Sequence, residues 1–346
     1  GSGALYSNTT ANNNTAVGRR ALYLNTTGSE VTALGHQALY SNTTGQYNTA
    51  VGKDALVSNT TASNNTAVGY QALTANTTGF ANTMFGYQAG DALTTGNNNI
   101  AIGSNTLGAD TLGDRSVAIG NEALASQNFT SSTDNYNVAV GYQAGAAVTT
   151  GIQNTLIGGQ AGDSLTDADF NVAIGTTALA SDTLGSRSIA IGRRTLMAQN
   201  FTSATDTYNV AIGFEAGNDV TTGTNNTLVG GLAGDAITTG SANTSVGTGS
   251  LGSNTTASSN TAVGFDAGSS NTTGAFNTFV GKDSGLSITT TSNSTFVGEY
   301  SGRSTTGGGN TFIGQGAGTA VTSGGNNTIL GQYTGNQGGL DIRTSS

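Results

Sequence analysis

Carboxylates are the side chains of this sequence that come closest to a recognisable chemical pattern. Asp163, Asp167 and Asp169 form the densest acidic cluster, and carboxylate oxygens are the ligands that calcium prefers. Calcium nevertheless needs six to eight oxygen ligands in a wrapped loop, and the glycine–aspartate repeat of calcium-binding β-rolls does not occur in this sequence. We therefore expect solvated acidic loops, with no metal site and no cofactor.

The sequence also lacks a clear arrangement of residues typical of an enzyme active site. A polysaccharide-cleaving enzyme needs two carboxylates at a fixed separation, and no position of the repeat described below carries Asp or Glu consistently. The chain has no cysteine and a single histidine, His36, which argues against thiolate chemistry, histidine catalysis and multi-histidine metal sites. The sequence thus predicts a protein that is not an enzyme, with a polysaccharide depolymerase as a minor alternative.

The content of charged and apolar residues limits the classes of partner that this protein could bind. The 346 residues carry a net charge of −9 with only ten Lys and Arg, so there is no basic stripe for phosphate contacts and nucleic acid is a poor partner. No apolar run approaches the roughly 20 residues of a membrane helix, so we expect no membrane insertion. The 54 glycines, the absence of proline and the low charge argue against an ordinary globular domain.

A motif of the type Asn-Thr-Ala-Val-Gly recurs along the chain and organises it. Most of its closing glycines follow a 17-residue period, as Gly18, Gly35 and Gly52 do. Two longer, 21-residue units lie at 120–141 and 192–213, and the block from Gly103 to Gly141 recurs as the block from Gly175 to Gly213. A fixed period of this kind indicates a stacked repeat architecture.

The repeat unit is rich in Thr, Val, Ile, Asn and Gly, which favour strands and turns over helix interiors. We expect one short strand at the motif, a second strand around the following Ala-Leu pair, and two turns. A single unit buries too little apolar surface to be stable, so the units must stack. We expect the asparagine that opens most motifs, such as Asn48 and Asn65, to form an amide ladder.

The sequence therefore predicts an all-β protein, a parallel β-solenoid (β-roll) of about 20 coils with a 17-residue repeat. Residues 1–335 are predicted to form a single β-solenoid domain. Residues 336–346 are predicted to connect it to a downstream segment.

The motif strand is apolar on both faces, and such a strand is covered on both faces. We assign the residue before the closing glycine, for example Val51, to the coil interior, and the residue that precedes it to the opposite face. The opposite face then forms a self-association stripe, because large exposed apolar patches mark interfaces. The predicted stripe comprises Ala16, Ala50, Ala67, Met84, Leu156, Leu228, Phe279, Phe296, Phe312 and Ile329.

Two segments carry a resemblance to a known family. Ser116–Gly120 (SVAIG) and Ser188–Gly192 (SIAIG) resemble the head repeats of YadA-type trimeric autotransporter adhesins. In that family three left-handed parallel β-rolls pack side by side, so the resemblance implies a left-handed coil and a homotrimer, with a dimer as the alternative. The adhesin repeat is usually shorter than the repeat of this chain.

A closer resemblance is to phage tail-fibre proteins that carry a C-terminal intramolecular chaperone domain. Asn65–Leu73 (NTAVGYQAL) is similar to the 17-residue repeats of those fibres, and Gly339–Thr344 resembles the stretch that precedes the chaperone. The resemblance implies a structural shaft or stalk segment of an extracellular homotrimeric fibre, on a virion tail or a cell surface. Its partners would be further copies of the chain and a host-surface glycan or protein. The alternative is a bacterial surface adhesin whose solenoid itself binds ligand.

The two 21-residue coils are the candidates for specific recognition, because loops that project from a rigid scaffold commonly bind partners. Each inserts four residues and carries aromatic side chains. A duplicated structural bulge without a ligand is the alternative. The candidate recognition residues are Asn128, Phe129, Tyr136, Asn200, Phe201 and Tyr208.

Two further patterns have plainer explanations. The many Asn-x-Thr glycosylation triplets come mostly from Asn-Thr-Thr turns, so we interpret them as turn chemistry multiplied by the repeat. Rows of threonine could bind ice. We disfavour that function because the strand threonines are assigned to inward-facing positions and the turn threonines lie on a curved edge.

Overall fold

The computed structural model describes residues 1–337 and 340–341, and those residues contain strands and turns but no helix. The chain divides into two compact units, Gly1–Asn171 and Val172–Ser346. Both are parallel β-solenoids, which confirms the predicted fold class and the 17-residue repeat, with about 19 turns in all. Most of the predicted connector, 336–346, lies outside the described residues, and the single domain over 1–335 stays a prediction.

In the first unit, the three-residue strands lie at the motifs, and each pairs in parallel with the strand of the next coil. Two shorter strands, β7 and β9, form a separate parallel pair next to the first 21-residue coil. The strands are β1 (Thr15–Val17), β2 (Thr32–Leu34), β3 (Thr49–Val51), β4 (Thr66–Val68), β5 (Thr83–Phe85), β6 (Ile100–Ile102), β7 (Gly113–Asp114), β8 (Val117–Ile119), β9 (Thr133–Asp134), β10 (Val138–Val140) and β11 (Thr155–Ile157).

The second unit repeats this organisation, with β13 and β15 as its extra parallel pair. A short antiparallel pair, β24 and β25, lies near the C-terminus. The strands are β12 (Val172–Ile174), β13 (Gly185–Ser186), β14 (Ile189–Ile191), β15 (Thr205–Asp206), β16 (Val210–Ile212), β17 (Thr227–Val229), β18 (Thr244–Val246), β19 (Thr261–Val263), β20 (Thr278–Val280), β21 (Thr295–Val297), β22 (Thr311–Ile313), β23 (Thr328–Leu330), β24 (Asn336–Gln337) and β25 (Leu340–Asp341).

The central residue of each motif strand faces the coil interior, and its two neighbours face outward. Ala50 is fully buried, whereas Val17 is 60% exposed and Phe85 is 54% exposed. The inward assignment of the residue before the closing glycine is therefore wrong, and so is the predicted stripe. Apart from Ala16, which is half-buried, every stripe residue is buried in the core. Successive residues of the motif strand do face opposite sides, as predicted, but the buried and exposed sides are the reverse of the prediction.

In most coils the core is filled in one of two ways, according to the residue six positions after the strand centre. The exceptions pair a central alanine with glycine, and in each of them the large centre of the next coil reaches the glycine: Ala139 with Gly145, Ala211 with Gly217 and Ala262 with Gly268. In the first kind the centre is small and that residue is leucine, as in Ala50 with Leu56. In the second kind the centre is large and that residue is glycine, as in Met84 with Gly90. A Cβ atom on Gly90 would lie 2.8 Å from Sδ of Met84. The two positions thus share one volume, and packing at interior density requires that they compensate.

The same compensation explains the change from alanine to phenylalanine along the second unit. Phe279, Phe296 and Phe312 are fully buried, and the last two rings stack with centroids 5.0 Å apart. Gly302 faces the ring of Phe296 in place of a leucine. These phenylalanines therefore fill the coil interior and do not face another copy of the chain.

The Ala-Leu segment is a turn, so the predicted second strand is wrong. In the coil that follows β3, Asp54 has φ +59° and Leu56 has φ +50°, both in the left-handed region. That conformation costs an L-residue about 1–2 kcal/mol. Hydrogen bonds to neighbouring coils offset the cost, because the Asp54 N–H donates to the His36 carbonyl at 2.9 Å and the Leu56 N–H to the Ala72 carbonyl at 3.1 Å.

Buried asparagines form two ladders, so the predicted amide ladder is confirmed and has a second, parallel counterpart. In the motif ladder, the Asn65 N–H donates to Oδ1 of Asn48 at 2.9 Å, and Nδ2 of Asn65 donates to the Gly79 carbonyl at 2.8 Å. In the turn ladder, Nδ2 of Asn42 donates to Oδ1 of Asn25 at 2.8 Å. The glycosylation triplets at these turn asparagines are therefore buried, which agrees with the interpretation of them as turn chemistry.

Candidate interaction surface

The first and third residues of the motif strands form a surface that we call the outward face of each unit. The third residue is always Val, Ile, Leu or Phe, and the first is Thr, Val or Ile. None of these positions is charged. In-register pairing aligns equivalent side chains in rows, as Thr49 lies beside Thr66 and Val51 beside Val68. An uncharged, apolar and exposed sheet face is the composition of an interface.

Exposed aromatic side chains lie at both ends of the outward face, and we call these rows the aromatic flanks. One flank comes just before the motif asparagine and the other just after the closing glycine. Nearly all exposed aromatic residues of the described chain belong to one flank or the other. The first flank comprises Tyr47, Phe80, Tyr136, Phe170, Tyr208 and Phe276; the second comprises Tyr70, Tyr87, Tyr142, Phe214 and Phe265.

The threonines of the motif strands present hydroxyls that no group of the described chain uses. The turn threonines behave differently: Oγ1 of Thr26, for example, donates to the Thr43 carbonyl at 3.0 Å. No such bond occurs at strand positions such as Thr49 or Thr66. The strand threonines therefore face outward, and their predicted inward orientation, on which ice binding was disfavoured, is wrong.

In the two 21-residue coils, the predicted recognition residues separate into buried and exposed sets. Phe129 and Phe201 are only 5% and 7% exposed, so these rings belong to the core of their loops and cannot be recognition aromatics. Burial alternates from Gln127 through exposed Asn128 to Phe129, but Gln127 and Asn128 are both polar amides, so the sequence gives no alternating pattern that could have placed this ring. Asn128 and Asn200 are exposed, and Tyr136 and Tyr208 are about half exposed, on the first aromatic flank.

An ion pair and an aromatic ring stand together at each long loop. Arg115 pairs with Asp134, and its guanidinium lies 5.6 Å from the ring centre of Tyr136. In the second unit Arg187 pairs with Asp206, whose Oδ2 accepts a hydrogen bond from the Tyr208 hydroxyl at 3.3 Å. The tyrosines were predicted from the sequence, but the arginines were not, because their acidic partners lie one coil further along the chain.

A buried carboxylate lies beneath the first long loop. Asp110 occupies a turn-ladder position where other coils have asparagine. Its oxygens accept hydrogen bonds from Nε2 of Gln127 at 2.7 Å and from the Gly113 N–H at 3.0 Å. Burial raises the pKa of Asp110 above its usual value, outweighing the hydrogen bonds, which lower it.

This raised pKa makes a prediction about pH and stability. The folded state holds the Asp110 proton more tightly than the unfolded chain does, so this group stabilises the fold below its unfolded pKa. That contribution is lost as the pH rises through the folded pKa. We expect Asp110→Asn to make the free energy of unfolding less dependent on pH between acid and neutral conditions, measured by urea denaturation at a series of pH values. Asn59→Asp places a carboxyl at a matching ladder position and should have the opposite effect; an unchanged profile in both variants would contradict the prediction.

The acidic cluster of the sequence does not converge. Oδ1 of Asp167 accepts a hydrogen bond from Thr150 and Oδ1 of Asp169 accepts one from the Ile152 N–H, at 2.6 and 2.8 Å. Burial raises the pKa of Asp163. Across the described residues, no group of three His, Cys, Asp or Glu side chains could hold a metal ion. The same part of the chain has no helix that could span a membrane.

Comparison of this chain with protein-family models and with curated proteins gives no match. On its structure, the chain is a parallel β-solenoid with an uncharged, apolar sheet face.

Proposed function

We propose that this chain is a structural shaft segment of an extracellular homotrimeric fibre, and that it is not an enzyme. The observation that carries the proposal is the outward face, which is apolar, uncharged and exposed in the single chain. A soluble monomer rarely leaves such a face open to water. The simplest cover is another copy of the same face, because a symmetric assembly buries it without a second gene product.

The size of the face fits self-association. In the first unit, nine strands spaced by about 4.8 Å, each three residues of about 3.3 Å, give an outward face of about 400 Å². The aromatic flanks extend it on both sides, towards the roughly 800 Å² per partner of a standard interface. The second unit offers a face of the same kind. A homotrimer of left-handed coils, as the resemblance implies, would bury these faces around a common axis.

The repetitive hydrogen bonding supports a mechanical role. Within each unit, neighbouring coils are joined by strand pairing, and many of them also by asparagine ladders and turn threonines, so deformation of one coil would break several bonds at once. We propose that the segment holds terminal domains or side loops away from a virion or cell surface for attachment to a host. The exposed residues of the 21-residue coils, Asn128, Tyr136, Asn200 and Tyr208, are the side-loop groups that would meet a glycan or protein.

Two measurements test the proposal: the mass of the assembly, and whether charged substitutions on the outward face dissociate it. We expect sedimentation or light scattering to give three times the chain mass at micromolar concentration. The double variant Val51→Glu/Val68→Glu should be monomeric, because each glutamate would be desolvated at an interface without a partner charge. The matched control Thr44→Glu/Thr61→Glu places the same charges on exposed turn residues of the same coils and should remain trimeric.

Two results would overturn the proposal: a monomeric parent chain, or a Val51→Glu/Val68→Glu variant that keeps the full assembly mass. Far-ultraviolet circular dichroism should give the same β spectrum for both variants, since all four positions are at least partly exposed.

Ice binding is a second candidate function, favoured by one observation. The strand threonines form outward rows of free hydroxyls beside rows of valine and isoleucine methyl groups, at the regular spacing of the sheet. Both functions use the outward face, so they exclude each other. A monomer that shapes ice crystals and loses this ability in Thr49→Glu/Thr66→Glu would support ice binding, whereas a trimer without ice activity supports the shaft.

A further inference from the structure

The outward face contains one wholly aliphatic patch in each unit. In most motif strands the first residue is threonine, but in six strands it is valine or isoleucine. These strands are adjacent in two sets of three, β6, β8 and β10 in the first unit and β12, β14 and β16 in the second. The first aliphatic patch comprises Ile100, Ile102, Val117, Ile119, Val138 and Val140; the second comprises Val172, Ile174, Ile189, Ile191, Val210 and Ile212.

Each aliphatic patch is open to solvent and has a polar rim. All of its side chains are partly or fully exposed, with Ile100 at 38% and Ile212 at 38%. Two residues before Val117 stands Arg115, paired with Asp134, and two residues before Val138 stands Tyr136. An apolar centre edged by tyrosine and arginine is the arrangement found at the centre of protein interfaces.

The rest of the outward face is nearly uniform along the chain. Outside the patches the first residue of every motif strand is threonine and the third is valine in most strands, with Phe85 the largest departure, and no charge interrupts these rows. A second copy could therefore slide along this face by whole coils with little change in its contacts. Charge pairs, the usual means of fixing register, are absent from it.

We propose that the two aliphatic patches fix the axial register between copies of this chain. The inference rests on the proposed self-association. In register, each patch faces its own counterpart and each threonine row faces threonines, whose hydroxyls can pair with one another. A shift of one or more coils places threonine hydroxyls against valine and isoleucine, where they lose water and gain no partner. The register with matched patches is then preferred.

Crosslinking between unequal positions tests this assignment. The chain has no cysteine, so single variants Leu34→Cys and Val68→Cys each add one thiol on the outward face. The two positions are two coils apart, about 10 Å along the sheet, which is too far for a disulfide. When the two chains are co-assembled and oxidised, we expect disulfides between equal positions only.

The same experiment is repeated with the patches replaced by threonine: Ile100→Thr, Val117→Thr, Val138→Thr, Val172→Thr, Ile189→Thr and Val210→Thr. Threonine already occupies this position in the other coils, so folding is retained and circular dichroism checks it. We expect this variant to gain the disulfide between positions 34 and 68. A control that exchanges valine and isoleucine at the same six positions keeps the patches aliphatic, and should crosslink equal positions only.

The outcomes separate the two proposals. Equal-position crosslinks alone in the threonine variant would overturn the register assignment and leave self-association standing. A monomeric parent chain, together with no specific crosslink between the Leu34→Cys and Val68→Cys chains, would overturn both.

Discussion

Gly90→Leu is expected to lower the free energy of unfolding by about 2–3 kcal/mol, the cost of overpacking a filled core. The Cβ atom would lie 2.8 Å from Sδ and 3.0 Å from Cε of Met84, which is fully buried. The left-handed backbone at this position is not the obstacle, because Leu73 occupies the equivalent position of the preceding coil with φ +54°. The cost therefore comes from the shared side-chain volume.

The triple variant Met84→Ala/Gly90→Leu/Leu93→Asn should recover most of this loss. It converts a coil of the second kind into one of the first. It also supplies an asparagine next to Oδ1 of Asn76, which has no hydrogen-bond partner among the described residues. Met84→Ala alone leaves a cavity and should cost about 2–5 kcal/mol. Urea denaturation of the parent, the three single variants and the triple variant measures the coupling. Additive losses in the triple variant would contradict the shared-volume account.

Gly69→Ala is expected to cost about 2–4 kcal/mol, because it combines a strained backbone with a clash. Gly69 closes its motif at φ +141°, and a Cβ atom there would lie 2.6 Å from the carbonyl carbon of Gly86 in the next coil. The obstacle is backbone, so no side-chain rotation relieves it. The same close approach recurs along the row, which is why the closing residue is always glycine.

Gly159→Ala is the matched control, since a Cβ atom at Gly159 meets nothing within 4 Å. We expect its free energy of unfolding to stay within about 0.5 kcal/mol of the parent value, the range of ordinary surface substitutions. Similar denaturation midpoints for the Gly69 and Gly159 variants would show that close stacking at the closing glycine does not limit stability.

Much of the fold could be predicted from the repeat. The 17-residue spacing of the closing glycines implied stacked coils, and strand-forming residues at the motif implied parallel pairing one unit apart. The ladder at Asn48 and Asn65 followed as well, because a buried amide that recurs once per coil can bond its copies above and below. The Ala-Leu turn could not be predicted, since its left-handed residues are tolerated only through bonds to neighbouring coils.

The prediction of which face of the motif strand is exposed was wrong. Both faces of the motif strand are apolar, so hydrophobicity alone did not say which face the coil encloses. The pairing of Ala50 with Leu56, and of Met84 with Gly90, is visible in the sequence, but three coils do not follow it and its meaning is clear only from the contacts in the fold. Residues that exchange volume share a core, and the strand centre is therefore the enclosed position. Phe129 is a separate case: it follows two polar amides in a long loop, so only the structure shows that its ring is buried.

By itself, the sequence determined that this chain is a stack of nearly identical β-coils, because periodicity is a property of the chain that stacking must respect. Only the tertiary structure decided what each coil encloses and what it leaves to solvent. The two possibilities differ in whether the central side chain of the motif strand, or the side chains on either side of it, point into the coil interior. The strand preference of the residues is the same for both orientations. The volume of the side chains that the coil must enclose decides which face lies inside.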